Sequence, residues 1–126
     1  MPLVTFTLQK GQPAALKTKL GNAVSLALEN AGVPKADRFQ RFLELDSENF
    51  NYDLHYPDLA EPRTDRFVLI EILFSVGRSV KIKEKILKDM VEHLQAAGIS
   101  SNEIMVSFQE TAWENWSFAN GHILHK

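Results

Sequence analysis

The chain has 126 residues, 44% hydrophobic and 24% charged, which is the size and composition of one ordinary globular domain. A formal net charge of −2 argues against a dedicated nucleic-acid binder, which needs a basic face, and the lack of cysteine excludes disulfides, thiol nucleophiles and thiolate metal sites. No basic segment followed by an apolar core opens the sequence, and the longest apolar run, 67–76, is interrupted by Glu71 and too short to span a bilayer, so a soluble cytoplasmic protein with no membrane partner is expected.

The first informative residue is Pro2. A starting methionine is usually removed when a small residue follows, and removal of Met1 would leave a secondary amine in place of an amide. Such an amine titrates near ~8 and can act as a base when neutral or an acid when protonated. Residues 3–8 are β-rich and Gly11 breaks the run. Leu16, Leu20, Val24, Ala27, Leu28 and Ala31 then recur at helical spacing, Gly32 ends the helix and Pro34 prevents its continuation. Residues 39–45 read as a second strand. The polar stretch 46–66, with Pro57 and Pro62, reads as a connection, although the alternation of Phe50, Tyr52, Leu54 and Tyr56 allows a short extra strand.

A third strand is expected over 67–74, broken at Gly77. Ile82, Ile86, Met90 and Leu94 form the next helical stripe, Gly98 stops it, and 104–108 reads as the fourth strand. Beyond it, Trp116 and Phe118 precede Asn120-Gly121 and His122-Ile123-Leu124 follow, a hairpin signature that puts Trp116 and Phe118 on one face.

The chain repeats itself. A shift of 66 positions lays Leu3 on Leu69, Gly11 on Gly77, Lys17 on Lys83, Leu28 on Leu94, Gly32 on Gly98, Phe42 on Phe108 and Glu44 on Glu110 without a gap. The expected fold is therefore α+β, a single domain over 1–126 built from two tandem βαβ units, 2–45 and 68–111. They would form a four-stranded mixed sheet with two helices on one face, plus a C-terminal β-hairpin. The run 67–74 is apolar on both sides, so the uncovered sheet face should meet another apolar surface, and oligomerisation is the simplest answer.

Pro2-Leu3, the segment Gly32-Val33-Pro34-Lys35-Ala36-Asp37-Arg38-Phe39-Gln40, Gly77-Arg78-Ser79 and Trp116-Ser117-Phe118, set on a duplicated βαβ unit, resemble the tautomerase superfamily over nearly the whole chain. The likeness is greatest to its malonate semialdehyde decarboxylases and next to its cis-3-chloroacrylic acid dehalogenases. The resemblance implies a homotrimer with sites at the N-terminal prolines and no cofactor. It implies Pro2 as catalytic amine, Asp37 as the carboxylate that activates water or polarises the intermediate, Arg78 as the binder of the substrate carboxylate, and Trp116 and Phe118 as the apolar pocket wall. The sequence departs from the decarboxylase pattern at Val76, where a second arginine is common, and at His125, where an aromatic residue is common.

Each residue also has a plainer reading. Asp37 aligns with Glu103, so an acid could simply suit that turn. Arg78 precedes a helix, where its sign opposes the macrodipole unless an anion binds there, and solvation is the alternative. Trp116 and Phe118 could pack a hairpin. His122 and His125 lack acidic or cysteine partners, so no metal is expected. Three functions follow: decarboxylation of a small 3-oxo carboxylate with hydratase side activity, keto–enol tautomerisation of 2-oxo acids such as arylpyruvates, or a non-catalytic ferredoxin-like small-molecule-binding module.

Overall fold

Alternation along the strands builds the core. In the computed structural model, which describes residues 2–126, strand β1 (Leu3–Gln9) turns Val4, Phe6 and Leu8 to one face, and strand β3 (Val68–Ser75) turns Val68, Ile70, Ile72 and Phe74 to the same face. The expected loss of Met1 concerns a residue outside that range. Helix α1 (Ala14–Asn30) covers this face with Leu20, Val24, Ala27 and Leu28, and helix α2 (Val80–Ala96) with Ile86, Met90 and Leu94. Strands β2 (Phe39–Leu45) and β4 (Ile104–Thr111) flank the pair, giving the order β2-β1-β3-β4. Phe6 stacks on Phe42 at 4.6 Å and Phe74 on Phe108 at 5.5 Å, tying each inner strand to its outer neighbour.

The duplication is visible in the register. β1 pairs β2 in parallel with Leu3 opposite Phe39, and β3 pairs β4 in parallel with Leu69 opposite Met105. The two units meet antiparallel along β1 and β3, Leu3 opposite Leu73 and Thr7 opposite Leu69, so a local two-fold relates the halves. The matched charges form matched bonds: Lys17 pairs with Glu44, and Lys83 with Glu110 at 2.8 Å, each tying a helix to the end of its strand. Because β1 lies directly beside β2, and β3 beside β4, both βαβ units are unsplit. That removes the ferredoxin-like alternative, whose βαβ units are split.

Two expected elements are absent. The C-terminal β-hairpin does not form: Asn120 and Gly121 make the turn, at φ 58° and 71°, closed by His122 N–H on the Ala119 carbonyl, but the flanking residues build no ladder. Instead a 3-10 turn at Trp113–Asn115 redirects the chain, and the aromatic rings pack as side chains against β3, each other and β2. Nor does the alternation from Phe50 to Tyr56 produce a strand. Phe50 and Tyr52 pack on Phe67, and the Asp53 carboxylate accepts from the backbone N–H groups of His55 and Tyr56, which turns the chain. These two bonds hold the exposed Asp53 carboxyl below its ordinary value.

The sheet face away from the helices is uncovered. Leu3, Leu69 and Leu73 line it beside the exposed Phe39, Leu43 and Met105, with Arg41 bonded to Thr5 and Gln109 to Glu71 between them.

Candidate functional site

Parallel pairing brings the starts of β1 and β2 to one end of the sheet, and antiparallel pairing brings the end of β3 there too. Pro2 directly precedes β1, Asp37 lies just before β2, and Arg78 just after β3. Topology alone therefore gathers the three residues singled out in the sequence.

Pro2 is buried where two hollows meet. One is a pit of about 10 Å³, a single water's worth of space, lined by Pro2, Asp37, Arg38, Phe39 and Gln40 against α1. The other is an open groove of about 190 Å³ lined by Pro2, Leu3, Phe39, Trp116, Ser117 and Phe118. Asp37 thus borders the polar side of Pro2, and the rings border the apolar side. Arg38 contributes a guanidinium to the pit, bonded to Asn22 at 3.0 Å and to Gln40 at 3.4 Å.

Arg78 is half-buried, not splayed from the helix start. Ser79 caps α2, its hydroxyl accepting from Ile82 N–H at 3.2 Å, which frees Arg78 to fold back. Its Nη1 donates to the Ser75 carbonyl at 3.1 Å, and its guanidinium carbon lies 4.5 Å from the centre of the Phe74 ring. Burial pulls its pKa below the ordinary value, while the Glu110 and Asp37 carboxylates favour its charge. Arg78 joins the site through Phe74, Ser75 and the field of Asp37; it does not line either hollow. A partly desolvated guanidinium of this kind gains strongly from a carboxylate, which it can meet with two parallel bonds.

Trp116 and Phe118 lie together as expected, although no hairpin holds them. Their rings are nearly parallel, 6.0 Å apart, and Phe118 stands 6.0 Å from Phe39. The Trp116 indole N–H donates to the Ser75 hydroxyl at 3.0 Å. Ser75, fully buried, is the residue that sequence reading missed. The duplication held the signal, for it runs further than 45 and 111: the same shift lays Gln9 on Ser75, Phe50 on Trp116 and Tyr52 on Phe118. In the first copy Gln9 donates to the Tyr52 hydroxyl at 3.1 Å, and Phe50 and Tyr52 lie 5.2 Å apart.

The two ends of the sheet nevertheless differ. At the far end, Val68 stands in the place of Pro2, and the buried Phe67 before it fills the aromatic nest, 4.3 Å from Tyr52 and 5.6 Å from Phe50. Glu103, the counterpart of Asp37, is buried with one oxygen accepting from Thr64 N–H at 2.9 Å and the other from the Thr64 hydroxyl. Phe67 thus fills the nest at that end, although a hollow of about 440 Å³ lies beside Thr64 and Glu103, whereas the nest beside Pro2 opens into the groove.

A tautomerase enzyme family model matches residues 37–119. The chain is similar to a probable tautomerase, YrdN, of Bacillus subtilis (strain 168), at 32% identity over 123 residues, covering 96% of this chain and 93% of that protein. It superposes on a malonate semialdehyde decarboxylase solved in wild-type, mutant and inactivated forms, with a TM-score of 0.86 and 28% identity, covering 96% of this chain and 93% of that one. A fused 4-OT symmetric trimer shares the fold, at a TM-score of 0.74 and 20% identity, covering 96% of this chain and 94% of that one.

Proposed function

The chain belongs to the tautomerase family, and from that premise we propose that its N-terminal proline amine, uncovered by loss of Met1, acts on a small oxo carboxylate, with decarboxylation of a 3-oxo acid of the malonate semialdehyde type as the leading reaction. The single observation that carries this reading is the position of Pro2, buried between a small pit bordered by Asp37 and an apolar groove bordered by Trp116 and Phe118. The likeness to a malonate semialdehyde decarboxylase whose structures address decarboxylase and hydratase activities supports the choice of reaction.

In this reading Arg78 binds the substrate carboxylate. The Pro2 amine, protonated beside the Asp37 carboxylate, donates to the carbonyl oxygen; in the covalent variant it first passes its proton to Asp37, adds to the aldehyde as the neutral amine, and loses water to give an iminium. The bond to the carboxylate carbon then breaks, carbon dioxide leaves, and the electron pair moves toward the cationic nitrogen or the protonated carbonyl, giving an enamine or enol. Protonation at carbon, with hydrolysis where an iminium formed, returns the aldehyde and the amine. Asp37 orients the water that hydration or hydrolysis requires. No metal or organic cofactor enters this scheme. The site residues are Pro2, Asp37 and Arg78 for chemistry and Arg78, Trp116 and Phe118 for binding.

The probable tautomerase relative and the apolar groove favour a second reading, keto–enol tautomerisation of a 2-oxo acid such as an arylpyruvate, with neutral Pro2 moving the proton. A pH–rate profile separates the two: turnover that falls as the amine loses its proton supports decarboxylation, and turnover that rises supports tautomerisation. The test of both is a panel of small oxo acids and acetylenic acids followed by ultraviolet absorbance, with Pro2→Ala as control. Unchanged turnover in Pro2→Ala of any substrate found would discard the amine chemistry.

A further inference from the structure

We infer that Ser75 is a positioning residue for the groove beside Pro2, acting through Trp116. The inference rests on that groove being the substrate site. Ser75 ends β3 at the edge of the site, and both of its polar handles point to groups assigned to the substrate. Its hydroxyl accepts from the Trp116 indole at 3.0 Å, and its carbonyl accepts from Arg78 Nη1 at 3.1 Å. One buried residue therefore sets the distance between the ring wall and the guanidinium.

The hydroxyl matters because little else fixes the wall. Residues 116–126 form no strand or helix, Phe118 is 40% exposed, and the rings touch one another in a row, Trp116 on Phe118 and Phe118 toward Phe39. A bond at the first ring orients the rest of the row. The first copy also holds one ring of its pair from this position, but the other ring and with the bond reversed: Gln9 donates to the hydroxyl of Tyr52, the counterpart of Phe118. There the held rings clasp Phe67, so the nest is a place built to grip a flat apolar group. At the Pro2 end the grip is left for the substrate.

The test is a double-mutant cycle of Ser75→Ala and Trp116→Phe, read as KM and kcat separately. Ser75→Ala is expected to raise KM roughly fivefold to tenfold, the worth of one hydrogen bond, with kcat within about twofold, since the hydroxyl touches no reacting atom. In the Trp116→Phe background, where the indole donor is gone, Ser75→Ala should change KM little further. An unchanged KM in Ser75→Ala, or the same increase in both backgrounds, would overturn the assignment. If Ser75→Ala fails to fold, the near-isosteric Ser75→Cys carries the same expectation with a smaller rise. With Trp113→Phe leaving Trp116 as the sole tryptophan, its emission should shift to the red in the Ser75 variants, and an unmoved spectrum overturns the assignment without reference to turnover. Failure of the amine chemistry would appear separately, as Pro2→Ala turning over substrate like the parent.

Discussion

At the scale of the residue, Pro2 and Arg78 carry the sharpest expectations. Removing the pyrrolidine nitrogen's special character in Pro2→Ala should lower kcat about 10²-fold to 10⁴-fold, the usual contribution of a positioned acid or base, without altering the thermal melt. For Arg78, the planar fork matters as much as the charge. Arg78→Lys keeps the charge but loses the two-point geometry and the stacking on Phe74, so kcat/KM should fall at least tenfold in steady-state assays, nearly as far as in Arg78→Ala. Pro2 and Arg78 stand out in the sequence because their types are unusual for their positions: Val68 occupies the place of Pro2 in the other copy, and a cation is disfavoured at a helix start. Asp37, matched by the acid Glu103, stands out only through the resemblance. Ser75 was legible only through the duplication, which lays it on Gln9. A serine at a strand end says nothing by itself, and its partner lies 41 positions away on a segment without regular structure.

At the scale of the element, the connection between the copies is tied to both of them. Glu103 accepts from both the backbone and the hydroxyl of Thr64, and Tyr52 accepts from Gln9 and donates to the Thr64 carbonyl. Glu103→Ala removes both acceptors and leaves the Thr64 N–H and hydroxyl without them, and should cost about 1–3 kcal/mol in denaturant unfolding, with the loss mapped to residues 46–66 by hydrogen exchange. Tyr52 adds a pH dependence. Burial first, then the Glu103 charge, raise its pKa above the ordinary 10, against the bond from Gln9. The neutral phenol is therefore favoured by folding: this contribution is complete below about 10 and is lost as pH rises through the higher value in the folded chain. A spectrophotometric titration of the Tyr56→Phe chain should show tyrosinate appearing above 10, and Tyr52→Phe should flatten the alkaline loss of stability. The helices and strands were legible through their spacing and glycines, which local periodicity dictates. The false strand at 50–56 and the false hairpin were not avoidable by the same means, because aromatic alternation there serves packing on Phe67 and on Ser75 rather than a ladder.

At the scale of the whole molecule, the open sheet face calls for a partner. Leu3, Leu69 and Leu73 on the inner strands, with Phe39, Leu43 and Met105 beside them, form an apolar band that a monomer would leave in water. The homotrimer that the sequence resemblance implies would cover this band. Native mass spectrometry should give three times the chain's 14.3 kDa, and Leu73→Glu should yield monomers with reduced turnover. The duplication made the mixed sheet legible, since two unsplit βαβ units can share a sheet only by meeting edge to edge. It did not reveal that Phe67 fills one aromatic nest while the nest beside Pro2 opens into a groove.

The free amine is the centre of the account, and intact mass spectrometry of the chain purified from its own host tests it most directly. The expected mass is short by one methionine, with Pro2 as the first residue of the N-terminal peptide. A chain that keeps Met1 on Pro2 would contradict it, because an amide nitrogen there can neither take up a proton nor form an iminium.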